Sequence, residues 1–455
     1  MRFKFQLAWI ALALSVSGCS TIWPEYEKPA FDLPAASAKP VAIDRQWWRA
    51  FNDPLLNALV DEALANNWDM AKAAANVAEA RAAVDAARSQ LLPRVDGLAK
   101  AGSTKRQLTL GSQDIDKTTS TGSIGAALNW EIDLWDRIGQ MNDAALARFA
   151  ASEHARNATN LSISGLVTDT WFQLRGLDAK LAITRDAVAS LKYATNLEYR
   201  RWKAEAGTEL AYTQSLAEYS STMARLPDLE GAIAQTELAL KLLVGRSPRG
   251  MNDAVPRGER VLLPDTPREV DSVVLLRRPD VASAELLLVA AHADVNSARA
   301  EFYPRLTLSL LAGFVTSTSK AISGMPLFWD ASAGLTGPIF DGGLVQSKVD
   351  SAEARRQKAL AHYQYTVSAA FRDTYQSLVL MDTSDREVKS REDEVATRRR
   401  AMVLAEKSYD AGRTSKFEVL TETIRVLNSQ LFLVDAMFGQ FTARSRYYKA
   451  LGGGF

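Results

Sequence analysis

Two nine-residue stretches, ARSQLLPRV at residues 87–95 and ARAEFYPRL at residues 298–306, decide the fold of this chain. They are related by an offset of 211 residues. In each, a helical pattern stops at a proline and a run of alternating apolar residues begins. Similarity at a fixed offset predicts a chain that contains two copies of one supersecondary unit.

Three further matches follow in the same order along both halves. They are Trp135-Asp136 with Phe340-Asp341 and Glu205-Ala206-Gly207-Thr208 with Asp410-Ala411-Gly412-Arg413, both at an offset of 205, and residues 241–245 with residues 448–452, at an offset of 207. Four matches in one order are hard to ascribe to chance. We therefore predict an internal two-fold structural repeat, with residues 54–245 as the first copy and residues 280–455 as the second.

Each copy reads as short helix, strand pair, long helix and return helix. In the first copy the strand pair is predicted at about 94–135, the long helix at 137–206 and the return helix at 209–244; in the second copy the same elements are predicted at 304–340, 344–411 and 415–451. Between the copies, residues 246–279 contain five prolines, a density that forbids a long helix and indicates a linker or a small irregular region.

The long helices dominate the prediction. Residues 344–411 contain neither glycine nor proline over 68 positions, about 100 Å of helix at 1.5 Å per residue. A helix of that length needs coiled-coil contacts along it, so we expect the helices to pack as a column. Gly207 and Gly412 are predicted to end the long helices in the left-handed C′ position, where the chain turns back.

The strand pairs alternate apolar and polar residues with a period of two, clearest at residues 123–134 and 306–314. Each run is near the ten residues that a membrane strand needs, and no apolar segment after the N-terminus is long enough for a membrane helix. Polar residues 103–122 and 316–325 are predicted as connecting loops. Five aromatic residues are predicted to cluster near one rim, as in an interfacial belt: Trp130, Trp135, Phe328, Trp329 and Phe340.

Four strands per chain cannot close a barrel, and an open sheet edge is not stable in lipid, so a membrane location requires oligomerisation. Two copies give eight strands and an interior filled by side chains, whereas three give twelve strands and room for a lumen. A trimer is therefore the smallest conducting assembly. The alternation fits two hairpins of a soluble sheet equally well, and that alternative stays open at this point.

The N-terminus reads as an export signal. Residues 1–18 have a basic start, an apolar run of about ten residues and small residues before Cys19, the single cysteine of the chain. Val16-Ser17-Gly18-Cys19 resembles the bacterial lipobox, which implies covalent diacylglyceryl and N-acyl groups on Cys19 and a lipid-anchored segment at residues 19–53. An ordinary signal peptide that happens to contain a cysteine is the alternative.

The composition argues against several other classes of function. Lys and Arg total 54 against 53 Asp and Glu, without a basic stripe, so a nucleic-acid partner is not expected. His154, His292 and His362 stand at unrelated positions, and no metalloprotease, hydrolase or phosphate-loop motif is present. We predict that the chain is not an enzyme, and that it holds no metal and no cofactor apart from the acyl groups.

The order of several motifs resembles the TolC family of outer-membrane factors, in its NodT-like lipoprotein branch. The motifs are the lipobox, WWRAFNDPL at residues 47–55, LRRPDV at 276–281, FYPRL at 302–306 and GPIFDGG at 337–343. The resemblance implies a mixed α and β membrane protein: a homotrimer with a twelve-stranded transmembrane β-barrel, four strands per chain, continuous with a long periplasmic α-helical barrel. It implies a bacterial outer-membrane location.

The resemblance also implies partners and sites. The helical tips, with Gly207, Thr208, Gly412 and Arg413, would meet a periplasmic membrane-fusion adaptor, which couples the duct to an inner-membrane pump of the resistance-nodulation-division (RND) class. A gate would lie just above the tips, with Tyr409 and Arg413 as latch residues. Glu418 and Glu422, four apart on one helical face, would form acidic rings in a trimer.

The predicted function is therefore a gated, passive exit duct of a tripartite efflux pump. Two alternatives remain from the sequence: an exit duct for type I secretion, and a periplasmic coiled-coil scaffold lipoprotein without a pore. The residues do not identify the substrate, which could be a drug, an aromatic compound or a metal ion. They do not identify the cognate pump and adaptor either.

Overall fold

The structure of the protein is a computed structural model that describes residues 23–31, 44–110, 113–246, 263–264, 266, 275–317 and 327–454. A 3-10 helix at Trp47–Phe51 opens the fold. The longer elements, in chain order, are α1 Pro54–Asn66, α2 Trp68–Ser89, β1 Arg94–Leu110, β2 Gln113–Ile132, α3 Arg137–Lys203, α4 Glu209–Leu243, α5 Pro279–Ala300, β3 Arg305–Ser317, β4 Leu327–Thr336, α6 Leu344–Asp410 and α7 Lys416–Ala450. The export signal, Cys19 and most of the 246–279 segment lie outside the described residues.

The two long helices have equal lengths. Both α3 and α6 contain 67 residues, and the return helices α4 and α7 contain 35 each. All four helices relate the two halves by an offset of 207 residues, the difference between their first residues. The two sequence matches at an offset of 205 therefore pair letters that stand two positions away from structurally equivalent residues.

The strands of the first pair are longer than predicted. β1 and β2 stay paired from Arg94 opposite Asn129 as far as Leu110 opposite Gln113, so the expectation of a loop over residues 103–122 is wrong. The ladder continues because paired strands need backbone partners, not an apolar face, and threonine favours extended backbone. Residues 111–112 lie outside the described residues, as do residues 318–325 of the second predicted loop, 316–325.

The chain folds into two compact units, and each unit draws on both halves of the sequence. The first unit comprises Met1–Phe31, Asn76–Glu153 and Ser283–Gln364, and it contains the four strands. The second comprises Asp32–Ala75, His154–Ala282 and Tyr365–Phe455. The division at residues 246–279 that the sequence suggests is thus a division between similar segments and does not separate compact bodies.

The second unit has an aromatic core. Trp47, Trp48 and Phe51 are buried against α1 and against aromatic residues of α3 and α7. Phe51 contacts Phe172 at a ring-centroid distance of 4.9 Å, and Phe172 stacks on Phe441 at 5.0 Å. The WWRAF stretch therefore anchors the chain before the first long element begins.

Asp53 joins this core to the start of α1. Its Oδ1 accepts hydrogen bonds from the backbone N–H groups of Leu55 and Leu56, at 2.9 and 3.2 Å, which is an N-cap ahead of Pro54. Its Oδ2 accepts a hydrogen bond from Trp171 Nε1 at 2.8 Å. Asp53 is only 2% exposed, so both oxygens depend on these partners.

Arg278, in the LRRPDV motif, completes the end of α7. Its Nη1 donates to the carbonyl oxygen of Ala450 at 3.0 Å, and its Nη2 pairs with Asp280 at 2.8 Å. Gly452, with φ of 85°, lies so close that a Cβ there would be 3.1 Å from Arg278 Cγ. Arg278 therefore caps the C-terminus of α7, although it stands 172 positions earlier in the chain. Across the described residues, no helix combines the length and apolar character of a membrane span.

Candidate functional site: a two-faced sheet and two helical turns

The four strands form one antiparallel sheet in the order β1-β2-β3-β4. Because directly opposite residues of antiparallel strands point to the same side, the register assigns every strand residue to a face. As far as Ala101 on β1, one face consists of small and apolar residues: Val95, Gly97, Ala99 and Ala101; Ile124, Ala126, Leu128, Trp130 and Ile132; Leu306, Leu308, Leu310, Ala312 and Phe314; Leu327, Trp329, Ala331, Ala333 and Leu335. Beyond Ala101, the same face of β1 carries Ser103 and Lys105.

The opposite face is largely polar or small. It carries Arg94, Asp96, Leu98, Lys100, Gly102 and Thr104; Ser123, Gly125, Ala127, Asn129 and Glu131; Arg305, Thr307, Ser309, Leu311 and Gly313; Phe328, Asp330, Ser332, Gly334 and Thr336. The apolar face is not covered by the described chain, since Ile124, Trp329 and Leu335 are 57%, 72% and 65% exposed. Such a sheet is suited to lipid on one side and water on the other.

Two glycines on the polar face let β2 and β3 approach closely. Gly125 and Gly313 stand directly opposite one another. A Cβ at Gly125 would lie 2.5 Å from the carbonyl oxygen of Ala312, and one at Gly313 would lie 2.4 Å from that of Ile124. Neighbouring backbone cannot give way to a side chain, so this point requires glycine and permits the sheet to bend.

Charge on the polar face is balanced and mostly paired. Arg94 Nε donates to Asp96 Oδ1 at 2.9 Å, and at the end of β2 Glu131 pairs with Arg137 at 2.8 Å. Lys100 on β1 and Asp330 on β4 are exposed. Each stands on an edge strand, and in the described structure neither makes an ion pair or side-chain hydrogen bond.

The predicted single aromatic rim is wrong, because the register places the aromatic residues at two heights. Trp130 stands opposite Leu308, which stands opposite Ala333. Trp329 is four residues away along β4, about 13 Å at 3.3 Å per residue. The alternation correctly predicts which face of the sheet a residue occupies. The position of the residue along the strand direction depends on the register, which the sequence does not give.

An aromatic cluster forms where the sheet meets the helices. Trp135 stacks on Tyr303 at 4.8 Å and donates from Nε1 to the carbonyl oxygen of Pro304 at 2.8 Å. Trp23 packs edge-on against Tyr303 at 6.1 Å and donates to the carbonyl oxygen of Trp135 at 2.9 Å. Sequence reasoning found Trp135 but missed Trp23 and Tyr303, since nothing local pairs residues so far apart.

Residues 23–31, which we call the strap, run along α5 in the direction opposite to the helix. The Pro24 carbonyl oxygen lies 2.8 Å from His292 Nε2, and Lys28 Nζ pairs with Glu285 at 2.6 Å. Tyr26 packs on His292, and burial, followed by the nearby Glu285 carboxylate, raises the pKa of Tyr26 to about 12. The strap is thus held by specific contacts and begins four residues after Cys19.

The first helical turn joins α3 to α4. The left-handed residue there is Glu205, with φ of 57°, and the backbone N–H of Ala206 donates to Arg201 O at 2.8 Å. The prediction that Gly207 fills this C′ position is wrong, because the helix ends two residues earlier than the glycine suggested. Thr208 caps α4 instead, with Oγ1 accepting from Ala211 N–H at 3.2 Å.

The second turn joins α6 to α7 and follows the prediction. Gly412 has a φ of 68°, its N–H donates to Tyr409 O at 2.8 Å, and the N–H of Arg413 donates to Ser408 O at 2.8 Å. This is the Schellman arrangement that ends many helices. The Arg413 side chain is exposed and makes no side-chain hydrogen bond or ion pair in the described structure.

Tyr409 connects the two turns. Arg201 Nη1 donates to its hydroxyl oxygen, and the Arg201 guanidinium carbon lies 5.9 Å from its ring centroid. Lys416 Nζ lies 4.9 Å from the same ring. Cations from α3 and α7 therefore both contact one residue of α6. The sequence pointed to Tyr409, but not to Arg201, which stands 208 positions away.

The two acidic candidates have different surroundings. Glu418 is exposed and contacts the Thr414 hydroxyl. Glu422 contacts Arg425 and lies 4.0 Å from Arg398 Nη1, with its side chain only 12% exposed. The carboxylate of Glu422 is therefore largely neutralised within the chain, whereas that of Glu418 faces solvent.

The first turn carries an aromatic group that the sequence analysis missed. Trp202 and Tyr212 stack at 5.5 Å with an interplanar angle of 11°, and Lys203 Nζ lies 4.0 Å above Trp202. Tyr199 packs against both rings. Elsewhere, the described residues contain no group of three or more His, Cys, Asp or Glu side chains arranged to hold a metal ion.

Comparisons with known proteins agree with this geometry. The sequence profile of the family described as "Outer membrane efflux protein" matches residues 59–246 and 272–453. The chain is 30% identical to the pyoverdine export outer membrane protein OpmQ of Pseudomonas putida, over 100% of this chain and 98% of that protein. It is 27% identical to the probable outer membrane lipoprotein SilC of Salmonella typhimurium, over 100% and 99%.

Among solved structures, the fold is similar to the CmeC outer membrane channel of Campylobacter jejuni. The TM-score is 0.88 at 25% sequence identity, and the match covers 95% of this chain and 94% of that one. The likeness therefore extends over the elements of both compact units.

Proposed function

The chain belongs to the outer membrane efflux protein family and is the outer-membrane exit duct of an efflux pump; we propose that three copies of it form this duct. The predicted family resemblance is confirmed. Substrates would pass through the trimer from the periplasm to the exterior without energy input from the channel. The relative OpmQ is named for export and not for catalysis, and no reaction is proposed.

The two-faced sheet carries the assembly proposal. Its apolar face is exposed in the single chain, its polar face holds balanced charge, and the outer edges of β1 and β4 are unpaired among the described strands. Unpaired edges are not stable in a bilayer. Three sheets joined edge to edge would give a twelve-stranded barrel with the apolar face in lipid and the polar face around a water-filled lumen.

The close approach at Gly125 and Gly313 supports this closure. Both glycines stand on the polar face, and the missing side chains let the strands draw together on that side. A sheet that bends towards its polar face is what a water-filled barrel requires. The helical hairpins of three copies would continue the lumen as a periplasmic helical barrel built on the two-fold repeat.

Lipid anchoring through Cys19 is part of the proposal. The strap begins four residues after Cys19 and is fixed beside the helix-side end of the sheet by Trp23. At up to about 3.5 Å per residue, a chain of four residues reaches at most about 14 Å, so an anchor on Cys19 would stay near that aromatic cluster. Diacylglyceryl and N-acyl groups there would enter the outer-membrane leaflet on the helical side. The relative SilC is named a probable lipoprotein.

The two turns are the proposed contact with the pump. Gly207, Thr208, Gly412 and Arg413 stand at the ends of the helical hairpins, with exposed Arg413 free of side-chain contacts in the described structure. We assign them to docking of a periplasmic membrane-fusion adaptor, which would link the duct to an inner-membrane pump of the RND class.

The proposed gate lies beside the turns and has Tyr409 as its latch. The contact of Tyr409 with Arg201 holds the α6–α7 hairpin to the α3–α4 hairpin, and Lys416 of α7 lies over the same ring. Arg413 and Glu418 are both exposed and would act between copies. Glu422 is the weaker candidate for an acidic ring because Arg398 and Arg425 already contact it.

Single-channel conductance in planar bilayers, with the oligomer mass measured on the same detergent-purified sample, tests the proposal. The expected result is a trimer with small, mostly closed currents that enlarge when Tyr409→Phe removes the hydroxyl group. Gln440→Ala, far from the turns, is the matched control and should leave the currents small. A stable water-soluble monomer without current would contradict the duct and favour a scaffold without a pore.

A further inference from the structure

Closing the proposed barrel joins β4 of one copy to β1 of the next. Among the described side chains, each of these edge strands carries one unpaired charge on the polar face. Asp330 is the single charged residue of β4. Along residues 94–105 of β1, the charged residues of the polar face are Arg94, Asp96 and Lys100, and the first two pair with each other. Both Lys100 and Asp330 are exposed, with no side-chain hydrogen bond or ion pair in the described structure.

The register within the chain fixes the heights of these two residues. Asp330 stands opposite Leu311, Leu311 opposite Ala127, and Ala127 opposite Asp96. Without any stagger between copies, Asp330 would therefore face Asp96 of the neighbour. Two carboxylates directly opposite repel one another, so a flat closure is unfavourable.

A barrel cannot close without stagger, because its strands tilt by about 35–45° from the axis. Four strands about 4.8 Å apart span about 19 Å, and at 3.3 Å per residue this tilt offsets consecutive copies by about four to six residues. Since each residue must keep its face, the offset is even. It is therefore about four or about six residues per copy.

The direction of the offset follows from where β1 begins. Ser332 stands opposite Ser309, Ser309 opposite Asn129, and Asn129 opposite Arg94, the first residue of β1. An offset in one direction would carry β4 past Arg94 and leave most of it unpaired. An offset of about four in the other direction pairs the whole of β4, Leu327–Thr336, with residues 94–103 of the neighbour.

We infer that Lys100 of one copy and Asp330 of the next form an ion pair that sets the register of the closing strands. At an offset of about four residues they are directly opposite, and at about six they are diagonal neighbours, still within reach of a lysine side chain. The site is incomplete in a single chain, since each copy supplies one charge to each neighbour. This inference rests on the proposed trimer.

Cysteine pairs test the register, because Cys19 is the single cysteine of the sequence. Three double variants are oxidised in membranes and run on non-reducing gels: Lys100→Cys, Gly102→Cys and Asp96→Cys, each combined with Asp330→Cys. We expect covalent dimers and trimers from the Lys100→Cys or the Gly102→Cys pair and none from the Asp96→Cys pair, which reports zero offset. The corresponding single variants and wild type, matched for oxidation, should stay uncross-linked.

Native mass measurement on the same samples separates the two ways in which the inference can fail. Trimers in which the Asp96→Cys pair cross-links most, or in which no pair cross-links, would overturn the ion pair and leave the trimer standing. Absence of trimers in wild type would overturn the proposed assembly and the ion pair with it.

Charge reversal gives a second test that needs no new cysteines. Lys100→Asp should lower the temperature at which trimers dissociate in detergent, because two carboxylates then meet at the closing strands. Adding Asp330→Lys should recover most of the lost dissociation temperature. Adding Asp96→Lys, the matched control on the same strand as Lys100, should not. Equal behaviour of the two double variants would contradict a specific pair.

Discussion

The two helical turns have the same geometry and different chemistry. Each follows a helix of 67 residues and precedes one of 35, and each closes with the same pair of backbone hydrogen bonds. In the second turn glycine occupies the left-handed position, whereas in the first glutamate does. The first turn carries a partly buried aromatic stack with Lys203 over it, while Tyr409 beside the second turn is contacted by cations from two helices.

This difference separates two requirements. Equal helix lengths and equal turns satisfy the geometry that both hairpins must share, and that geometry tolerates different side chains. The side chains then differ in role: Tyr409 acts as a latch between the two hairpins, whereas Trp202, Tyr212 and Lys203 contact one another within the first hairpin. Four predictions test this division.

The largest effect is expected from Gly412→Pro. Proline holds φ near −65° and lacks the N–H that Gly412 donates to Tyr409 O, so the left-handed turn is lost at a local cost of about 3 kcal/mol or more. Export should fall to background while trimers still reach the outer membrane, as measured by efflux assays and membrane gels. Export at the wild-type level would contradict the role of this turn.

Gly207→Ala is the matched control for that prediction. Gly207 lacks a positive φ, and a Cβ there would meet Arg201 Cβ at 3.1 Å, which a small shift relieves. Export should therefore be retained. The offset of 207 residues between the helices makes Glu205, and not Gly207, the structural equivalent of Gly412. Loss of export in Gly207→Ala would contradict that equivalence.

Breaking the latch should have the next largest effect. Arg201→Ala removes both the hydrogen bond and the cation over the Tyr409 ring, a loss of about 1 kcal/mol or somewhat more at a half-buried site. We expect channel open time in planar bilayers to rise about fivefold or more. Lys203→Ala, which removes the corresponding cation from the first turn, should leave open time unchanged; equal effects would remove the distinction between the turns.

Exchanging the left-handed residues should give smaller effects of opposite sign. Glu205→Gly removes the backbone strain of a non-glycine residue at positive φ and should stabilise the first turn by about 1 kcal/mol. Gly412→Ala should destabilise the second turn by a similar amount. Hydrogen exchange of the backbone amides around each turn measures both, and a change of the same sign in both variants would refute the comparison.

The smallest effect concerns the acidic side chains of α7. Glu418→Gln should reduce the preference of the open channel for cations more than Glu422→Gln, because Arg398 and Arg425 already offset the charge of Glu422. Exposed charges contribute at most about 1 kcal/mol, so the permeability ratio should change by less than about fivefold. Reversal potentials in a salt gradient decide the order, and a larger effect of Glu422→Gln would reverse our assignment.

The sequence predicts the elements well because their signals are local. Alternation locates β2, β3 and β4, and the absence of glycine and proline locates α6 within a residue or so of each end. The misplaced end of α3 has a physical cause: glycine is the usual left-handed residue, but a glutamate can adopt that φ when the surrounding helices fix the turn.

The candidate site was only partly accessible from sequence because its key contacts are distant along the chain. Tyr409 was found through the family resemblance, but no local sequence pattern marks its partner Arg201. The same holds for Trp23 beside Trp135 and for Lys100 opposite Asp330 in the proposed trimer. Pattern reasoning gives the face of a residue, whereas register and side-chain pairing come from the folded chain.

The equal lengths of the helices also constrain how this chain can change in evolution. Arg201 contacts Tyr409 because both turns stand at the same distance along their helices, 67 residues from the start of each. Deleting one heptad from α6 alone would withdraw Tyr409 by about 10 Å and separate it from Arg201. Insertions and deletions in the long helices should therefore be inherited in matched pairs, one in each half, so that the two halves of the gene lengthen or shorten together.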